Sequence, residues 1–198
     1  MDLIQVYRIP FSTNVERVAL AAGHKAVAIE WIEVDPGDRS PVENASGQGL
    51  VPVLVAGDET VSDSPVILDW LESHFPEPPL LPADPARRAE VRVFVDWFNR
   101  VWKRAPNAIA DDGPTDALVA DMRAHVELFE SLLAGRDHLF GAFGLADVIA
   151  FPFLKYASLG CPPGDDEAFH HVLVDYQPLR DDSPLHGWVA RVDAHPRS

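Results

Sequence analysis

Apolar and polar residues alternate in short blocks over the first eighty residues, and the period of the pattern switches between that of a strand and that of a helix. Short runs of β-forming residues predict four strands, at 3–7, 26–34, 52–55 and 59–61. Apolar residues at helical spacing predict two helices, at 13–24 and 64–74, and residues 40–46 are a candidate for a further short helix. Because Ala56-Gly57-Asp58 separates the last two strands, these two form a predicted hairpin. The predicted order is therefore β-α-β-α-β-β-α.

A proline-rich stretch from Phe75 to Pro82 separates this region from a remainder with helical periodicity. Since proline fixes φ and has no N–H donor, the stretch predicts a semi-rigid connector. After it, apolar residues at helical spacing predict four helices, at 91–102, 114–135, 145–158 and 185–194. The third of these is apolar on nearly every side, as a buried helix should be. The predicted organisation is an α/β domain over 1–76, a linker over 77–84 and an all-α domain over 85–198.

The composition narrows the class of protein. With 47% hydrophobic and 24% charged residues among 198, the chain is expected to be globular rather than disordered or fibrous. Its formal net charge of −15 disfavours nucleic acid and anionic membrane surfaces as partners, because like charges repel. A single cysteine excludes an internal disulfide, and the eight histidines lack metal-ligand spacing, so no metal is expected. The sequence has no recognisable leader or membrane span, which predicts a soluble cytoplasmic protein.

Four local features resemble motifs of the cytosolic glutathione transferase family, in the same order along the chain. They are an opening strand, turn and helix over 7–18, the Val51-Pro52 step, a helix start over 62–67 and a capped helix at 144–148. No single motif is specific, but their order and spacing together are strong. The resemblance implies a thioredoxin-like N-terminal domain that binds glutathione, followed by an all-α C-terminal domain. It also implies a homodimeric transferase whose second substrate is a small apolar electrophile.

Ser12 is the candidate catalytic residue. A thiol with a pKa of about 8.5 is mostly protonated at neutral pH, and a hydroxyl at a helix N-terminus stabilises the reactive thiolate. In the resemblance, Ser12 matches the catalytic serine of phi-like members, whereas the reactive serine or cysteine of zeta- and omega-like members would fall at Ile9. Cysteine-based thiol exchange is therefore not expected. The residue types alone also allow Ser12 to cap the helix without reacting, and Thr13 or Asn14 to serve instead.

The resemblance implies further residues that bind glutathione, which is a tripeptide. A cis peptide bond at Val51-Pro52 would present the Val51 backbone to the cysteinyl part, although a proline can also simply open an edge strand. Asp63 and Ser64 would hold the γ-glutamyl ammonium and carboxylate at a helix N-terminus, where ordinary cap residues also occur. For the glycyl end of the peptide, the less specific candidates are Arg39 and Gln48. For the acceptor pocket, they are Phe11 and Trp97.

Several alternatives stay open at this stage. Arg39 is equally compatible with a solvated surface charge, and aromatic residues at helical spacing such as Trp97 are usually core. The protein could instead be a thiol-dependent isomerase or peroxidase, or use another low-molecular-weight thiol. It could also be a catalytically silent binding protein, since fold does not fix function, with the irregular stretch 159–183 as a partner surface. Asp147 is expected to bond backbone N–H groups near Gly144 and to support folding.

Overall fold

The computed structural model describes residues 3–198, which fall into two compact units. The first comprises the residues up to Leu80 together with His195–Ser198, and the second runs from Leu81 to Ala194. The sequence predicted a single helical domain through residue 198. The last four residues differ from that prediction because their backbone and side chains bond to a helix and a strand of the first unit.

The first unit contains a four-stranded sheet in the order β2-β1-β3-β4. Its strands are Ile4–Arg8 (β1), Glu30–Glu33 (β2), Val53–Ala56 (β3) and Glu59–Ser62 (β4). β1 is parallel to β2 and antiparallel to β3, so that Val6 pairs with Trp31 on one side and with Leu54 on the other. β3 and β4 form the predicted hairpin. This is the thioredoxin-like arrangement that the sequence predicted.

Three helices accompany the sheet, namely Thr13–His24 (α1), Ser40–Ser46 (α2) and Ser64–His74 (α3). α1 and α3 pack against each other, and their buried residues include Val18, Leu20, Ile67 and Leu71. Most of the stability of short helices comes from burying such an apolar face. This packing holds the N-termini of α1 and α3 side by side, where the candidate site residues lie.

The second strand is shorter than its sequence pattern predicts. The N–H of Val27 donates to the carbonyl of Ala22 (2.9 Å), and the N–H of Ile29 donates to the Ser198 hydroxyl (3.1 Å). These residues therefore leave α1 and face the C-terminal segment, and only Glu30–Glu33 pairs with β1. The strand boundary is set by a partner that lies far away in sequence.

The second unit is helical. Its helices are Pro85–Trp97 (α4), Arg104–Asp112 (α5), Asp116–Leu132 (α6), Leu145–Leu159 (α7), Ala168–Asp175 (α8) and Pro184–Asp193 (α9). Between α4 and α5, residues Phe98–Trp102 form one π-helical turn, which the sequence pattern did not indicate. Nor did the pattern predict α5 or α8. Within residues 3–198, no helix is both long enough and apolar enough to cross a membrane.

α7 is the central helix of the second unit, and its residues from Leu145 to Leu154 are all buried. Asp147 in its first turn accepts hydrogen bonds from the N–H groups of Gly144 and Leu139, both at 3.1 Å. It also accepts one from the indole N–H of Trp188 at 2.7 Å. Burial raises the pKa of Asp147, although these donors favour its ionised form. Asp147 therefore ties the start of α7 to the preceding loop and to α9, which is the folding role that the sequence predicts.

Candidate active site

Ser12 is the N-cap residue of α1 and follows a tight turn. Its hydroxyl oxygen accepts a hydrogen bond from the backbone N–H of Val15 (3.4 Å). Phe11, just before it, has a φ of 59°, in the left-handed region that few non-glycine residues adopt. Strained backbone of this kind often occurs at functional turns. Capping uses a lone pair of Oγ and leaves the hydroxyl proton for another acceptor, so the capping and catalytic roles are compatible.

Asp63 and Ser64 lie at the N-terminus of α3. Ser64 is the first residue of the helix and is 1% exposed. Asp63 occupies the N-cap position with a φ of 71°, but its carboxylate makes no capping hydrogen bond. The Asp63 side chain therefore does not cap the helix, although the sequence allowed that role. A helix N-terminus carries partial positive charge, which suits an anionic ligand group.

A buried arginine connects the two helix ends. Arg17 is fully buried, and its Nη1 donates to Asn14 Oδ1 and to Ser64 Oγ, both at 3.2 Å. The Ser64 hydroxyl in turn donates to Asn14 Oδ1 (3.3 Å). Burial lowers the pKa of Arg17 to about 9, while the charge of Asp63 opposes the shift. The guanidinium is therefore charged at neutral pH, and it links Asn14 in the first turn of α1 to the start of α3.

The sequence analysis did not assign Arg17 to the site. The available signal was its position three residues after Asn14, which puts both side chains on one face of the helix. A charged residue among the apolar residues of a short helix needs polar partners. A second partner, Ser64, is 47 positions away in sequence, and the contact is revealed only by the packing of α1 against α3.

The loop between α2 and β3 holds Gln48, Val51 and Pro52, and Arg39 lies at the start of α2. The Val51–Pro52 peptide bond is cis, and Pro52 is buried. The Gln48 amide Nε2 donates to the carbonyl of Leu50 (2.9 Å), so that this side chain braces its own loop. Arg39 is half-buried at the start of α2, where its Nε donates to the carbonyl of Pro36 (3.1 Å). Both Arg39 and Gln48 thus have local backbone partners.

The two predicted acceptor residues belong to different units. Phe11 is 40% exposed in the turn beside Ser12. Trp97, at the end of α4, is half-buried, and its ring centroid lies 5.4 Å from that of His125 and 6.1 Å from that of Phe129. The structure therefore gives Trp97 a packing role within the helical unit and places Phe11 next to the candidate catalytic residue.

Cys161 lies in the loop between α7 and α8. The Cys161 thiol lies 3.9 Å from Nδ1 of His171. Burial and the charges of Asp165 and Asp175 raise the pKa of Cys161, which makes it a poor nucleophile at neutral pH. In the part of the chain that the structure describes, no group of three or more histidine, cysteine, aspartate or glutamate side chains is arranged to hold a metal ion.

Several known proteins are similar to this chain in sequence, and others are similar to it in fold. Residues 6–79 match the family described as the N-terminal domain of glutathione S-transferase. Glutathione S-transferase U7 of Arabidopsis thaliana is 30% identical over 157 residues, which cover 76% of this chain and 67% of that protein. FtsZ-localized protein A of Caulobacter vibrioides is 29% identical over 171 residues, which cover 76% of this chain and 75% of that protein.

A similar structure has been solved for a tau-class glutathione S-transferase of mango, Mangifera indica. It superposes with a TM-score of 0.78 over 98% of this chain and 90% of that one, at 20% sequence identity. This likeness concerns the fold alone.

Proposed function

The chain belongs to the glutathione S-transferase family, and from that premise we propose that it activates the thiol of glutathione for attack on a small apolar electrophile. The observation that carries the proposal is the hydroxyl of Ser12 at the N-terminus of α1, with the Ser64 hydroxyl tied to the same helix through Asn14 and Arg17. The proposed place of action is the cytoplasm, where glutathione keeps thiols reduced, and the proposed role is detoxification of reactive electrophiles.

The residues at the start of α3 fit the γ-glutamyl end of glutathione. The Ser64 hydroxyl and the positive end of the helix suit its carboxylate, and the carboxylate of Asp63 suits its ammonium. The buried charge of Arg17 directly behind Ser64 adds to the attraction for an anion. For the rest of the tripeptide, we assign the backbone at Val51–Pro52 to the cysteinyl part, and Arg39 and Gln48 to the glycyl carboxylate.

In the proposed reaction the Ser12 hydroxyl donates a hydrogen bond to the glutathione sulfur. This bond and the α1 dipole favour the thiolate, and the thiol proton passes to solvent. The sulfur electron pair then forms a bond to the electrophilic carbon as the leaving group departs with its own pair. The chain contributes a larger thiolate fraction and the positioning of both reactants.

Replacing Ser12 tests this role. Ser12→Ala is expected to lower kcat at neutral pH about 10- to 100-fold, because a hydrogen bond to a charged group is worth about 1.5–3 kcal/mol. The affinity for glutathione is expected to stay almost unchanged. The deficit should shrink as the pH approaches the pKa of the free thiol, since the thiol then ionises unaided. Steady-state rates with glutathione and 1-chloro-2,4-dinitrobenzene at several pH values measure both effects.

Thr115→Ala is the matched control. Thr115 caps α6 by accepting the N–H of Leu118 (3.3 Å), so this substitution removes a cap in the other unit. It should cost about 1 kcal/mol of stability and leave the pH profile of kcat unchanged. Unchanged turnover in Ser12→Ala would remove Ser12 from catalysis.

We further propose that the protein is a homodimer, as the resemblance implies. Large apolar side chains are exposed on both units, with Leu50 77%, Val66 51% and Val93 69% exposed. Covering such side chains removes apolar surface from water and so favours association.

A second candidate is a binding protein without turnover. It is favoured by the match to FtsZ-localized protein A over 76% of this chain, a protein named for a location rather than for a reaction. Ser12 would then only cap α1. Assays of conjugation, isomerisation and peroxide reduction, each with glutathione, separate the candidates. No turnover in any of them, together with no glutathione binding, would favour the second.

A further inference from the structure

A cavity with a volume of about 370 Å³ lies in the first unit, at the end of the sheet that is remote from Ser12. It is formed by the start of β1, the turn between β3 and β4 and the last turn of α3, through Ile4, Asp58, Glu59, Trp70, His74 and Phe75. Ser12 follows the other end of β1, and Ser64 begins α3. Since α3 has 11 residues and is therefore about 16 Å long, the cavity is separate from the candidate active site.

The lining of this cavity carries negative charge. Asp58 and Glu59 are adjacent where the turn leads into β4, and within residues 3–198 the Asp58 carboxylate has no hydrogen-bond or ion-pair partner. The last turn of α3 adds partial negative charge, because the negative end of the helix macrodipole lies there. Among the described lining residues none is a lysine or an arginine, and His74 is the one basic side chain. The cavity therefore favours a cation.

Aromatic rings form another part of the wall. The indole N–H of Trp70 donates to Glu59 Oε2 (2.6 Å), and the ring of His74 stacks on the indole with the two centroids 4.0 Å apart. His74 is itself held by Nδ1, which donates to the carbonyl of Trp70 (2.9 Å). Aromatic faces attract cations, and the indole of tryptophan does so most strongly. Because these contacts already fix the indole, little ordering is needed when a ligand binds.

We propose that this cavity binds small organic amines in their ammonium form. The ammonium group would donate to the carboxylates of Asp58 and Glu59, and the apolar body of the amine would lie against Trp70 and Ile4, which is buried. A volume near the low end of ligand pockets suits a single ring or a short alkyl chain. The inference does not depend on the proposed transferase function, since no residue of the candidate active site lines the cavity.

The probe for this site is 2-phenylethylammonium, which joins one ring to one primary ammonium group. The isotope-labelled full chain is titrated at about pH 8, where imidazole groups are mostly neutral and alkylammonium groups are charged. We expect a saturable shift of the Trp70 indole N–H resonance, with a dissociation constant of about 1 mM or tighter. The neutral analogue 2-phenylethanol should bind at least about tenfold more weakly, because it lacks the charge.

Variants that keep the shape of the cavity test the role of its charge. Glu59→Gln retains an oxygen that can accept the Trp70 indole N–H, and Asp58→Asn removes the second charge. Each is expected to weaken binding of the probe about 3- to 10-fold. Glu30→Gln is the matched control, since Glu30 lies on β2, at the opposite edge of the sheet, and also accepts a side-chain hydrogen bond, from Gln5. It removes the same charge from the same unit and should leave the affinity unchanged.

A lysine side chain carries the same ammonium group, so Nα-acetyl-lysine amide distinguishes a free amine from a side chain of another protein. It has no ring to meet Trp70 and is expected to bind about tenfold more weakly than the probe. Equal binding of the two would overturn the assignment to small amines. The inference is also overturned if the Trp70 resonance does not move up to about 20 mM probe, if 2-phenylethanol binds as tightly, or if Glu59→Gln behaves like Glu30→Gln.

Discussion

Arg17 shows how much a single side chain organises the candidate site. Its charge is fully buried, and the cost of removing that charge from water is offset by Asn14, Ser64 and the nearby charge of Asp63. A buried charge with these partners holds the Ser64 hydroxyl in one orientation at the start of α3. We regard Arg17 as a positioning residue that acts through Ser64.

Arg17→Met is expected to lower the free energy of unfolding by about 3 kcal/mol, because the buried acceptors on Asn14 and Ser64 lose their charged donor. It should also weaken glutathione binding about tenfold or more, through loss of the fixed Ser64 hydroxyl. Arg100→Met is the control, since Arg100 makes an exposed ion pair with Asp96 (2.6 Å) that is worth little. Urea denaturation and calorimetry measure the two effects. Normal glutathione affinity in Arg17→Met would refute the positioning role.

At the scale of single residues, the sequence predicted the site residues whose position depends only on their neighbours along the chain. Ser12 precedes a helical pattern and Ser64 another, so both were found at helix N-termini, where the structure has them. The role of Arg17 was not predicted because it depends on Ser64, which comes close only when α1 packs on α3. The contact of Ser198 with Trp31 was not predicted for the same reason.

Among the elements, α7 and α8 are joined by a buried polar cluster. The carboxylate of Asp165 accepts hydrogen bonds from the Tyr156 hydroxyl (3.0 Å) and from His170 Nδ1 (2.8 Å), and the rings of Tyr156 and His170 stack at 4.6 Å. Burial by itself raises the pKa of Asp165, but the hydrogen bonds outweigh it, and the pKa is lowered from 3.8. The irregular stretch before α8 is thereby fixed by a carboxylate.

The lowered pKa of Asp165 determines how the stability contributed by this carboxylate changes with pH. The folded state holds this proton less tightly than the unfolded state, so the stabilisation is present above pH 3.8 and is lost as the pH falls through the lower folded-state value. Asp165→Asn is expected to cost about 2 kcal/mol at neutral pH and progressively less in acid. Urea denaturation at pH 7 and below about pH 4 tests this.

Asp182→Asn is the control for Asp165→Asn, because Asp182 is exposed and its pair with Arg180 (3.3 Å) is at the surface. Its effect should be small at both pH values. A loss in Asp165→Asn that is the same in acid as at neutral pH would show that the carboxylate charge has no part in the stabilisation.

The elements that the sequence predicted well have strong periodicity, and those that it missed have interrupted patterns. The long apolar face of α6 and the uniformly apolar α7 were both predicted. α5 was missed because Pro106 interrupts its first turn, although proline is tolerated there. α8 has only eight residues and follows Pro162-Pro163 and several acids, so its apolar residues span too few turns to show a period.

At the scale of the whole molecule, the division into two units and the high negative charge are the main features. The thioredoxin-like and helical units could be predicted because the proline-rich connector separates two different periodicities. Assembly could not be predicted from residues alone, since it depends on which apolar side chains stay exposed after folding. The structure leaves Leu50 77% exposed, just before Val51.

The homodimer predicts a solution mass of twice the 21.8 kDa of the chain. Leu50→Glu is expected to shift the protein toward the monomer, because it places a charge where apolar surface would be covered, at a cost of several-fold to about 100-fold in the dimer dissociation constant. Sedimentation equilibrium over a range of concentrations measures both masses. A monomer at high concentration in the unaltered protein would contradict the dimer.

The central claim is that the start of α3, held by Arg17, binds glutathione beside Ser12. The most direct test is calorimetric titration with reduced glutathione near neutral pH, using the unaltered protein, Ser64→Ala, and Ser131→Ala as a control whose hydroxyl bonds only its own helix. The account predicts saturable binding that is at least about tenfold weaker in Ser64→Ala and unchanged in Ser131→Ala. No binding up to about 10 mM glutathione, or equal binding by Ser64→Ala, would contradict it.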